Sequence, residues 1–505
     1  MKPDMEVETV TRLTRETKVV LSNIAISDIL FFKLLSRTAV EIRSKISLVG
    51  HDDSLGCCLE GFGERTTEQA RICFDGYTSQ EMKQVYENIK TIPRKSIQID
   101  AKEVHAKGDG ICVLLELLDF ADGHIPDLSL ETSRKKYIEE ITEKESNLGW
   151  IGKVKKLSLI GSAVEALPRL KLHQENKMEE LVLETYIPGY IAEILRMENN
   201  SIWVGKVRKL FLKQKAIQIL HKLKFHDENE MEEFGLDSYT TGNIAEILQM
   251  ENNSVWIGKV KVLKLKRHTI QILPKLRIHG ENELKEFDLS ASNPKNITEI
   301  LKEENNSVWM GKVKTLKLGG YAIQILPKLR IHGENEVEEL ELYAQQKEIV
   351  AEILRIESSS IWVGKVKRLV LRGYGVGILP KLKLHQENMM ELFLLNAQIP
   401  ENITEILKEE NKSIWAGKVK RLELKHLAVK ILPKLKLHGE NEMEELVLDA
   451  YRSEHITEML EMENKSIRVG KVRKISLEGY YAEEIFSKLD FTEIAPDGQE
   501  ENGGV

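Results

Sequence analysis

The tripeptide Gly-Lys-Val begins at Gly152, Gly205, Gly258, Gly311, Gly364, Gly417 and Gly470, always 53 residues apart and with no insertion or deletion. A period held that strictly restricts the chain to a stack of supersecondary units, because no single unit can cover its own apolar face. Each period contains two similar halves. One opens V-x-x-L-x-L, as in Val154/Leu157/Leu159 and Val419/Leu422/Leu424. The other follows 24 residues later, as in Met178/Leu181/Leu183 and Met443/Leu446/Leu448. Alternating leucines turn one face of a short strand toward a core. After the first strand, segments such as "AIQILPKLRIHGEN" carry a proline that argues for a short or interrupted helix. After the second, "NITEILKEENNS" reads as a better helix, with Ile297, Ile300 and Leu301 at i, i+3 and i+4.

These motifs resemble the leucine-rich repeat family, and the alternation of two unit lengths is most similar to its ribonuclease-inhibitor and NLR-type subclass. The resemblance implies an α/β solenoid with a curved parallel β-sheet on the concave face and helices on the convex face. It covers residues 101–490 well. Degenerate repeats fill 46–100, where "KISLVG", "RICFDG" and "SIQID" follow at 25 or 26 residues. Residues 1–45 read as a cap or a first degenerate unit, and 491–505 as a disordered tail. One departure stands out. The family usually has Asn or Cys at the ninth place of the motif, whereas this chain has Ser162, Lys215, His268, Tyr321, Tyr374 or Tyr451 there.

Net charge is −7 with a pI near 6.1, so no global basic field points to nucleic acid or an anionic membrane. The N-terminus "MKPDMEVETV" is acidic and lacks the apolar core of a signal peptide. The most apolar run, Ile29 to Leu35, is too short to span a bilayer. Cys57, Cys58, Cys73 and Cys112 form neither a C-x-x-C pair nor a disulfide-like framework. A cytoplasmic monomer is the expectation.

All six tryptophans (Trp150, Trp203, Trp256, Trp309, Trp362, Trp415) occupy one place of the period, just before Gly-Lys-Val. At about 4.8 Å per strand they would recur every ~10 Å, too far apart to stack bases or sugars continuously. A packing role on the loop returning from the helix follows. His173, His226, His279, His332, His385 and His438 each precede x-E-N. One histidine per two units cannot converge with the next on a metal, so a turn role is favoured. No phosphate loop, H-E-x-x-H or G-x-S-x-G occurs, and no catalytic residue, cofactor or metal is expected.

The strands carry the most informative pattern. At the second and third places of the Val-type strands twelve of fourteen residues are basic, and at those of the Met-type strands ten of twelve are acidic. Such a ladder neutralises its own charge and specifies strand register. It breaks around Val370, Leu392 and Leu394, where outward places become apolar. With Tyr374 as an aromatic anchor and Arg368 and Glu423 as a polar rim, these residues are the candidate partner-binding patch. The resemblance implies a non-enzymatic scaffold, adaptor or sensor that recognises a protein on its concave face. The alternative is a GTPase-activating or ubiquitin-ligase-associated recognition protein, for which Arg65 and Arg94 are the candidate exposed arginines.

Overall fold

The buried asparagine of each H-x-E-N turn joins three pieces of chain. Its side-chain Oδ1 accepts the main-chain N–H of the valine 22 residues earlier: Val154 to Asn176 (2.9 Å), Val207 to Asn229 (2.8 Å), Val260 to Asn282 (2.7 Å), Val313 to Asn335 (2.8 Å), Val366 to Asn388 (2.7 Å) and Val419 to Asn441 (2.7 Å). Its main-chain carbonyl accepts from the lysine of the next Gly-Lys-Val, as in Lys312 to Asn282 (2.9 Å) and Lys365 to Asn335 (3.1 Å). Asn335 is 2% exposed and also donates from Nδ2 to the Val313 carbonyl. The turn itself is set by histidine, whose Nδ1 accepts the N–H two residues on, as in Glu334 to His332 (3.2 Å). The ring closes the turn locally, as an Asx side chain does elsewhere.

The glycine of Gly-Lys-Val follows from the same clasp. Gly311 has φ +71°, and a Cβ there would lie 2.4 Å from the Asn282 carbonyl oxygen. Only glycine lets the next strand come close enough to close the bond.

The structure, a computed structural model, describes residues 13–494 apart from 15, 51–70, 74–76, 94–95, 109, 112, 115–116, 118–126, 134–152 and 171. Cys57, Cys58, Cys112, Arg65, Arg94, Trp150 and most of the expected tail lie outside the described residues. The chain divides into two units, Met1–Met250 and Glu251–Val505.

In the first unit, Lys18–Leu21 pairs with Ala39–Ile42, and Ala25–Ser27, Ile46–Val49 and Ile97–Asp100 make a three-stranded parallel sheet. The helices Asp28–Arg37 and Ser79–Ile89 accompany them, the second started by a capping box between Thr78 and Glu81. A second parallel ladder runs through Arg71–Cys73, Glu103–Lys107, Asp127–Thr132, Lys156–Gly161, Lys177–Thr185, Ile202–Gln214 and Glu230–Ser238.

In the second unit the parallel order is Val255–Arg267, Glu283–Ala291, Val308–Gly320, Glu336–Ala344, Ile361–Gly373, Leu392–Ala397, Arg421–His426, Glu442–Asp449 and Ile467–Glu478. The inward leucines, such as Leu316, Leu318, Leu369 and Leu371, are at most 1% exposed. Outward charges meet across strands: Arg208 with Glu232 (2.7 Å), Lys314 with Glu283 (2.9 Å) and Lys474 with Glu445 (2.8 Å). The Lys474 and Ser476 hydrogen bonds hold the Glu445 carboxyl below its ordinary range.

The layer behind the sheet differs from the expected row of helices. Each fully described Val-type strand from Lys156–Gly161 through Arg421–His426 runs into eight residues of 3-10 helix, such as Tyr321–Lys328. From the second of these onward a three-residue strand follows, such as Leu329–Ile331. The proline of I-L-P-K-L supplies no N–H and stops α-helical propagation. After the Met-type strands the longest helix is Lys347–Leu354; "NITEILKEENNS" gives only 3-10 turns at Pro294–Asn296 and Ile300–Lys302. That segment must turn back at Asn306 (φ +56°), too soon for an α-helix to pass its costly first turn by much. Each short strand pairs with the start of the long strand that precedes it in the chain, Trp309 lying opposite Arg330. The five described tryptophans therefore sit inside strands, not on loops.

His221 stands where the neighbouring periods have Pro168, Pro274, Pro327, Pro380 and Pro433. Burial, with Lys222 adding to it, pushes the His221 imidazole down to about 4. The folded protein thus keeps this ring neutral where the unfolded chain protonates it. Stability falls as pH drops below the unfolded value near 6.5 and stops falling below about 4. His221→Pro should flatten the pH dependence of urea midpoints across that window and add about 0.4–1 kcal/mol by restricting the unfolded chain. Asn335→Ala leaves the Val313 N–H buried without its acceptor and should lower stability by about 1–3 kcal/mol in urea titrations. Gly311→Ala, which combines a forbidden φ with the carbonyl overlap, should cost more than the loss of one clasp bond.

Candidate functional site

On the outward face of the second unit, one row of side chains crosses nine strands. It reads Lys264, Asp288, Lys317, Glu341, Val370, Leu394, Glu423, Val447, Ser476. Alternating charge gives way to apolar side chains at Val370. Leu392 lies one row over, opposite Arg368. The register therefore brings Val370, Leu392 and Leu394 onto neighbouring strands of one face, with Arg368 exposed beside them.

Two of the residues selected from sequence sit differently from expectation. Val370 is 5% exposed, so Leu392 and Leu394, both half-buried, carry the accessible apolar area. Glu423 is only 9% exposed, because Arg421 Nε (2.7 Å) and Lys425 Nζ (3.4 Å) close on its two oxygens. It is a clasped carboxylate within the patch, lying between Leu394 and Val447, and not an open rim charge. Val447, 3% exposed, extends the apolar row and was missed; it occupies the same strand place as Leu394.

Tyr374 opens the 3-10 segment Tyr374–Lys381, two residues past Arg372, so the Arg372/Asn396 row separates it from Leu394. It lines a groove of about 430 Å3 together with Tyr343, Arg372, Asn396, Ile399 and Asn402. Tyr343 and Ile399 are 39% and 42% exposed. Arg372 reaches Glu341 at 3.7 Å on the groove wall. The Asn396 Oδ1 is buried there without a protein donor. A local sequence change accompanies the groove. Gln271 and Gln324 bond the main chain of the following turn, at Glu299 N (3.3 Å) and Ile349 O (2.9 Å), but the equivalent place here is Gly377, facing the Asn402 carbonyl. No side chain reaches across.

The first unit has its own break at the same strand place, where Ser158 leads to Val182, Phe211 and Gly235. Phe211 lies over Gly235; a Cβ on that glycine would meet the ring at 2.6 Å. Reading the fifth place of every strand would have found this second apolar site.

The five described tryptophans are half-buried in their strands, away from the fully buried core. Trp309 meets the His332 ring edge-to-face at 6.1 Å, and the Arg330 guanidinium lies 4.9 Å from its centre. The same ring pair recurs at Trp256/His279, Trp362/His385 and Trp415/His438. This geometry braces the turn that presents the clasp asparagine. Among the described residues no group of His, Cys, Asp and Glu can hold a metal, and no helix is long and apolar enough to cross a membrane. No family model, curated protein or solved structure matches the chain.

Because each tryptophan is only half covered, Trp309→Ala should cost about 1–3 kcal/mol, the range for partial burial plus one cation–π contact. The tryptophan emission of the parent protein should fall between the buried and fully hydrated limits. A loss well above that range in chemical denaturation would place Trp309 in the core after all.

Proposed function

We propose that the chain is a leucine-rich-repeat solenoid that works as a non-enzymatic, cytoplasmic protein-binding scaffold, adaptor or sensor. The observation that carries this reading is the failure of the charge ladder along one row of the second unit. From Lys264 to Glu341 every outward residue opposes a residue of opposite charge; from Val370 to Val447 three of four are apolar. A sheet that needed only solubility and register would keep the alternation. Half-buried leucines framed by Arg368, Arg421 and Lys425 have the arrangement of an apolar centre and a polar border that protein interfaces share. The adjoining groove with Tyr343 and Tyr374 supplies aromatic surface of the type enriched at binding hot spots. The reading rests on this apolar stretch of the outward face, with fold-level resemblance as its second support.

The test is the double substitution Leu392→Glu with Leu394→Lys, in affinity capture from cell extract followed by mass spectrometry. Capture of the specific partner should weaken at least about tenfold, equivalent to ~1.4 kcal/mol. The circular dichroism spectrum and melting temperature should stay near those of the parent, because both side chains lie on the outward face. Undiminished capture by a folded double variant would move the binding site elsewhere.

A further inference from the structure

The last long strand, Ile467–Glu478, ends the parallel ladder of the second unit. On one side its residues 471–478 pair with Glu442–Asp449. On the other, only 467–472 are paired, with Leu489–Glu493. Among the described residues no strand pairs with 474–478 on that second side. The inward residues register the difference. Leu263, Leu316, Leu369 and Leu422 are each at most 1% exposed, whereas their counterpart Ile475 is half-buried, as is Leu477. Beyond the strand, Tyr480 is 88% exposed and Phe486 47%, with Phe486 stacked edge-to-face on Phe491 at 5.4 Å. An open strand edge backed by uncovered apolar side chains is a surface that proteins normally cover.

We infer that this edge is covered by the same edge of a second copy of the chain, giving a two-fold dimer. The sequence of the open segment, Lys474-Ile475-Ser476-Leu477-Glu478, complements itself in antiparallel register. With a two-fold axis through Ser476 and perpendicular to the sheet, Lys474 opposes Glu478 of the copy, and Glu478 opposes its Lys474. On the inward face Ile475 opposes Leu477 of the copy, so the two apolar cores run together. Such an axis keeps outward faces outward on both sides, which a face-flipping axis would not. Within the chain Glu478 lies opposite Asp449, so Lys474 of the copy supplies the positive charge which that row lacks, while Glu478 of the copy continues the Glu445–Lys474 alternation. The alternative of open-ended stacking lacks this reciprocity, and closure at two is the consequence of an isologous edge. The proposal departs from the monomer expected from sequence.

Glu478 is exposed, which makes it the cleanest probe. Sedimentation equilibrium of the full chain at micromolar concentration should give twice the 57.8 kDa chain mass. Glu478→Lys sets two lysine pairs face to face and should weaken dimerisation at least about tenfold. Combining it with Lys474→Glu gives up the Lys474–Glu445 pair inside the chain but restores opposite charges in both pairs across the junction and should recover the dimer, a rescue that a loss of folding could not produce. A single-chain mass for the parent protein would overturn the proposal. So would a mass that grows past two chains with concentration, or a Glu478→Lys variant that dimerises as the parent does.

Discussion

A single side-chain amide repeated every 53 residues holds this fold in register. Each H-x-E-N asparagine offers an oxygen to the valine N–H at the start of its own period, and its carbonyl receives the lysine N–H of the next period. The asparagine and the valine it holds are both buried, where an unpaired amide is costly and a paired one is correspondingly directive. Glycine before the lysine, histidine three residues before the asparagine, and tryptophan against that histidine are then consequences. Glycine admits the carbonyl, histidine shapes the turn, and tryptophan braces it.

The sheet adds a second, softer constraint. Inward leucines supply the apolar burial that stabilises the stack, but leucine at every inward place says little about which strand lies beside which. The outward charges carry that information. Glu180 lies between Lys156 and Lys209 in register, so a slip of one unit would set like charges together. Surface pairs of this sort contribute little individually, which leaves the protein free to replace them where binding is needed. The charges are absent at Val370 and Leu394 and at Val182 and Phe211.

The repeat period, the strand positions and the inward leucines were legible in the sequence because all three are written in a two-residue alternation that is blind to tertiary detail. The helical back layer was not. "NITEILKEENNS" has helical spacing, yet the turn at Asn306 and the proline at 294 leave room only for 3-10 turns. The interlocking asparagine was also hidden. Attention to the ninth place of the strand motif found Ser162 or Tyr321 there, while the asparagine that does the bonding stands 22 residues past the valine it holds. Residues that distant in sequence meet only through the turn. In the candidate site, sequence gave the adjacent apolar places correctly but could not weigh accessibility. Val370 and Glu423 are covered by neighbours whose rotamers no pattern specifies, and the groove beside Tyr374 arises where Gly377 replaces a bridging glutamine.

If the asparagine clasp is what fixes the stack, its donor amides must open only when the unit itself opens. Hydrogen exchange measured at the N–H groups of Val260, Val313, Val366 and Val419 tests this directly. The account predicts exchange as slow as that of the sheet-centre amides of Leu316 and Leu369. Exchange as fast as that of the exposed turn at Gln345 and Gln346 would show that the clasps open independently of the sheet, and would contradict the account.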